Sequence, residues 1–167
     1  MTVAVFVEND SDAKCLIQWG VDFAAADHSN LLIVVPRRSK GKEAWKSLDR
    51  SASESNPLVE SVYNVLSKQD SERTVLKEDI NSGAESSELD RTAIETRELI
   101  APDPARAFVD QVEKLNVTLL ILPAHQPSKT GENEAWHQRL FAHAPCEVIV
   151  ARGARPRVAG QIRIMVA

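Results

Sequence analysis

Nowhere does this sequence hold an unbroken apolar run near the roughly 20 residues that cross a bilayer, so no direct membrane insertion is expected. The N-terminus lacks a basic stretch and passes at once into a strand-like segment, so a secretory leader is not expected and the reading is cytoplasmic. Cysteine is scarce. The two present, Cys15 and Cys146, lie far apart without a metal-ligand spacing, which points to a reduced pair rather than a disulfide or zinc scaffold. His28, His125, His137 and His143 share no metal-ligand spacing either. Charge of one sign is not in excess: a formal net charge of −4 gives no global attraction to nucleic acid. No Ser-His-Asp order or paired-carboxylate spacing can be read, so an enzyme is not expected.

What is present is an alternation of short apolar runs with amphipathic stretches. Val3 to Val7, Leu31 to Val35, Val117 to Leu122 and Glu147 to Ala151 read as buried strands, the second and third stopped by Pro36 and Pro123. Ala93 to Ile100 is a weaker strand candidate, and Thr74 to Leu76 a short one. Ala13, Leu16, Ile17, Gly20, Phe23 and Ala24 recur at helical spacing, with Ser11 as the N-cap. Asn56-Pro57 and Asp103-Pro104 are further helix starts, and a last helix runs to His143.

Residues 36–56 and 70–92 are loop-rich, the first basic through Arg37, Arg38, Lys40, Lys42 and Lys46, with a helical turn around Trp45. Gly41-Lys42 does not make a phosphate loop, because Pro36 and Glu43 stand where glycine and a hydroxyl residue are needed. Alternating strands and helices imply parallel βαβ units, hence an α/β fold with a doubly wound, open, parallel sheet of five strands and helices on both faces.

Two runs carry a resemblance. Asn116-Val-Thr-Leu-Leu-Ile-Leu-Pro-Ala-His-Gln126 and Arg139-Leu-Phe-Ala-His-Ala-Pro-Cys-Glu-Val-Ile-Val-Ala-Arg152 resemble the C-terminal half of universal stress proteins, the turn His143-Ala-Pro-Cys146 being the most specific match. The likeness covers residues 3–152 and is weak between 36 and 92. It implies strand order 3-2-1-4-5, with a ligand crevice at the carboxyl ends of strands 1 and 4, where that order reverses. It implies crevice residues Val7, Asn9, Asp10, Val35, Pro123, His125, Gln126, Gly131 and Glu134. Glu8, Asn9 and Asp10 are the candidates for the family's acid at the end of strand 1, and Asp10-Ser11 also reads as a plain helix start.

ATP-binding members carry Gly-x2-Gly-x9-Gly followed by Ser or Thr in the second crevice loop, where backbone N–H groups approach phosphate oxygens. Here Pro123 and Gln126 occupy the first two glycine positions, and proline has no N–H to give. The third falls on Trp136-His137 counted forward, or on Glu134-Ala135 counted back from the His143 turn. Trp136 reads as packing or as filling the space that phosphates would take. The resemblance therefore implies a non-enzymatic regulatory or scaffolding module in stress response or transport, with no cofactor and no ATP held in the family manner. The alternative is a sensor that keeps AMP or ATP through altered loops.

Family dimers imply a homodimer, or pairing with a second such domain, through Glu147, Val148, Ile149, Val150 and Ala151. Residues 1–153 are read as one domain. Residues 154–167 are read as a linker and the first strand of a second domain, since Ile162 to Ala167 looks like an opening strand. Tandem copies and fusions to membrane transporters both occur in the family. A bland alternative is an extra edge strand of this same domain.

Overall fold

The structure, a computed structural model, describes residues 1–48, 57–79, 93–124 and 132–151. Its elements in chain order are β1 (Thr2–Phe6), α1 (Asp10–Ala26), β2 (Asn30–Arg38), β3 (Ala44–Leu48), α2 (Pro57–Asp79), β4 (Ile94–Ala101), α3 (Pro104–Val109), β5 (Val117–Pro123), α4 (Glu132–His143) and β6 (Glu147–Ala151). They build a sheet of six strands in the order β3-β4-β2-β1-β5-β6, not the five-stranded sheet of order 3-2-1-4-5 that the sequence suggests. The difference is β3. Every neighbouring pair is parallel except β3 with β4, which is antiparallel.

The parallel strands are apolar throughout because both faces of the sheet are covered. Val3, Val5, Val7, Leu31, Ile33 and Val35 pack in one buried cluster with Leu16, Ile17 and Val21 of α1 and Val59 and Val62 of α2. Ala4, Phe6, Leu32 and Val34 belong to the opposite cluster, with Phe108 of α3 and Leu140 of α4. The alternation along β1 and β2 is the two-residue period of a strand whose successive side chains enter opposite cores. Phe6 and Phe108 meet edge to face at 5.7 Å, one of the geometries aromatic rings prefer. Helix α1 lies so close on the sheet that a Cβ at Gly20 would come within 2.4 Å of Val5 Cγ2.

Several local expectations are corrected. Residues 44–48, expected as loop with a helical turn, form β3: Trp45 packs its ring on Phe108 at 6.4 Å, and Tyr63 Oη donates to the Leu48 carbonyl at 2.6 Å. Pairing with β4 supplies the strand geometry that an alternating polar sequence at a sheet edge does not advertise. Strand β2 runs through Pro36 to Arg38. Its odd positions direct backbone groups at β4, as Leu31 N–H does to Ala93, while even positions face β1, as the Val34 carbonyl does toward Val7 N–H. Since β1 ends at Phe6, the missing N–H of Pro36 faces past the end of that strand, where it breaks no ladder.

Residues 70–79, expected as loop with a strand at Thr74 to Leu76, continue α2. Gln69, Glu72, Arg73, Leu76 and Lys77 are all good helix formers. The cap of α1 is Asn9 rather than Ser11: Asn9 Oδ1 accepts the Asp12 N–H at 3.1 Å, and Ser11 Oγ donates to the same oxygen at 2.7 Å. The start at Asp103-Pro104 is as the sequence suggests, with Asp103 accepting the Arg106 N–H at 3.3 Å. Asn56, residues 80–92 and the segment 152–167 lie outside the described residues. Among the described residues, no helix is long and apolar enough to cross a membrane.

Candidate functional site

Strand β1 is flanked by β2 on one side and β5 on the other, and the chain winds away from it in both directions. This is the switch point, and it opens a crevice at the carboxyl ends of β1, β2 and β5. The residues following β1 form its floor. Val7 is fully buried and its N–H donates to the Val34 carbonyl at 2.9 Å, tying the end of β1 to β2. Val35, on β2, is equally buried.

Glu8 comes next and is half-buried. Its carboxyl pKa is pushed up to about 8, first by burial and then by the nearby Asp12 carboxylate. Around neutral pH it is therefore largely protonated, able both to donate and to accept a hydrogen bond. Asn9 has already committed its side-chain oxygen to the start of α1, and Asp10 is exposed on the first turn of that helix. Of the three acid-position candidates, Glu8 is the one the fold buries.

The opposite wall begins at Pro123, which is buried, ends β5 and stands in register with Ala151 of β6. The next N–H, from Ala124, donates to the Ala151 carbonyl at 2.8 Å. The first two backbone positions of this loop thus offer a ligand nothing: one has no N–H and the other has spent it. His125, Gln126 and Gly131 lie outside the described residues. Glu134 falls in the first turn of α4, which begins at Glu132.

Two residues outside the expected set close the same edge. Arg38, exposed at the end of β2, places its guanidinium carbon 5.6 Å from the centroid of the Trp136 ring on α4. Arg38 lies beyond the last β1–β2 pair, Phe6 with Val34, and Trp136 packs against the Phe108 cluster, so the contact joins the carboxyl end of β2 to the helix that follows β5. The Trp136 indole Nε1 is buried without a hydrogen-bond partner among the described residues. In the sequence Arg38 is one of a run of cations, and Trp136 reads as packing or as filling the phosphate space; only the topology brings the two together.

The five residues expected at an interface form the outer strand β6. Val148 and Ile149 are half-buried, Glu147 and Val150 exposed, and Ala151 buried. Among the described residues β6 pairs with β5 alone, which leaves its other edge open. Cys15 and Cys146 are free thiols, both pushed up in pKa by burial first and then by Asp12 and Glu147 respectively, which favours the protonated thiol.

The family model described as Universal stress protein family matches residues 1–152. A search of curated protein sequences gives no match. Among solved structures, the chain is similar to a universal stress protein in complex with cAMP, at 15% identity and a TM-score of 0.56, covering 91% of this chain and 96% of that one. It is similar to a universal stress protein from Archaeoglobus fulgidus at 13% identity and a TM-score of 0.55, covering 90% and 98%. The same holds for a complex with dAMP from that organism, at 12% identity and a TM-score of 0.52, covering 90% and 97%. At these identities the likeness speaks for the fold alone.

Proposed function

The chain belongs to the universal stress protein family, and from that premise we propose that it is a non-enzymatic regulatory or scaffolding module that does not hold ATP in the usual family manner. One observation carries the reading: the phosphate-side loop opens on buried Pro123 followed by an Ala124 N–H already bonded to β6. Phosphate oxygens need clustered, unspent backbone donors, and this wall begins without them. Counted back from the His143 turn, the sequence also puts Glu134 where the family's third glycine stands. The module would work in the cytoplasm, in stress response or transport regulation, pairing through β6 with a second copy or a second domain of its kind.

The ATP content of freshly purified protein tests this. Acid extraction followed by anion-exchange chromatography is expected to release far less than one ATP per chain. A stoichiometric yield overturns the proposal.

A second reading is favoured by a specific observation. Two of the similar structures are described as complexes with cAMP and with dAMP, ligands that carry a single phosphate and ask little of a phosphate loop. The floor of the crevice here keeps a protonated Glu8, which can meet the uncharged edge of a base. On this reading the domain senses a nucleotide of the AMP class through altered contacts.

A further inference from the structure

If a nucleotide enters the crevice, its phosphate needs donors that the glycine positions no longer supply. We infer that Arg38 and Trp136 are those donors, an anion-recognition pair that takes the single phosphate of a nucleoside monophosphate across the mouth of the crevice. The inference rests on the second reading above and goes beyond it by naming the residues and the ligand's charge.

Three features carry it. Place is the first: the pair joins the carboxyl end of β2 to the helix that follows the carboxyl end of β5, the strands on either side of the switch point. The second is chemistry. An arginine fork matches two phosphate oxygens at once, and resting on an aromatic face holds it near one geometry before any ligand arrives. The indole N–H is buried with no acceptor among the described residues, a costly state that a ligand oxygen would relieve. Charge is the third. Arg38 is exposed at the end of β2, so its guanidinium is open to an anion. A single phosphate held beside Arg38 is matched by this charge.

Calorimetric titration of the full chain with AMP, and separately with adenosine, tests the pair. The wild type is expected to bind AMP at least about tenfold more tightly than adenosine, the margin of one charge-assisted contact. Arg38→Ala should bring AMP down to the adenosine level. Trp136→Phe keeps a ring beneath the guanidinium and removes only the N–H, so it should weaken AMP about three- to tenfold. Adenosine binding should change in neither variant. If Arg38→Ala does not fold, Arg38→Gln retains most of the aliphatic stem and serves the same purpose. Equal binding of AMP by wild type and variants, or equal binding of AMP and adenosine, overturns the pair and leaves the nucleotide reading standing. No binding of either compound by the wild type overturns both.

Discussion

At the scale of single residues, a carboxyl group in the crevice floor makes the domain sensitive to pH. The pKa of Glu8 is raised from 4.5 to about 8 in the folded chain, so the folded state holds a proton that the unfolded state releases above its own, lower pKa. The stability this contributes is complete below about pH 4.5, declines as pH rises, and is exhausted once pH passes about 8. The span corresponds to a few kcal/mol, on the order of 1.4 kcal/mol per pH unit. Glu8→Gln should remove that slope. Thermal midpoints at pH 6 and pH 9 are expected to fall with pH in the wild type more steeply than in the variant, which should be the more stable at pH 9. Parallel pH profiles for the two proteins would show that Glu8 ionises without cost. In the sequence Glu8 is one of three acid-position candidates; which of them the fold buries depends on Asn9 being taken by the helix cap, and that is settled by backbone geometry at the start of α1.

At the scale of elements, what the sequence discloses follows burial. Strands β1, β2, β5 and β6 show as apolar runs, and Asp103-Pro104 announces α3 through its cap chemistry. Strand β3 does not show, because Ala44-Trp-Lys-Ser-Leu48 sits at an edge with two residues exposed and takes its conformation from pairing with β4. The far half of α2 does not show either, since its polar residues carry helix propensity rather than a pattern.

The same logic applies to the other end of the sheet. Among the described residues strand β6 has an open edge, and Val150 on it is 51% exposed. Neither proline nor charge interrupts its centre, so it is available for pairing with another chain. Sedimentation velocity across a range of concentrations should show a dimer for the wild type and a shift to monomer for Val150→Lys, whose lysine places a charge on the pairing edge without emptying the core. A wild type that remains monomeric at high concentration would count against pairing through β6.

At the scale of the molecule, the family's frame is intact while the chemistry at its mouth is altered. Two buried clusters clamp the sheet from both faces, and the switch point between β2, β1 and β5 still opens a crevice. The proposal that the phosphate grip is lost starts from the sequence, where proline stands at a glycine position. The Arg38 and Trp136 bridge was not legible there, because residues 98 positions apart share no local pattern and meet only through the strand order. The central claim is that this altered mouth no longer holds a triphosphate. Calorimetric titration of the full chain with Mg-ATP tests it most directly. The expected result is no saturable heat with ATP in the hundred-micromolar range, in the wild type and equally after Pro123→Gly with Gln126→Gly, because those two glycines leave Glu134 at the sequence position of the third. A micromolar dissociation constant for Mg-ATP at one site per chain would contradict the account.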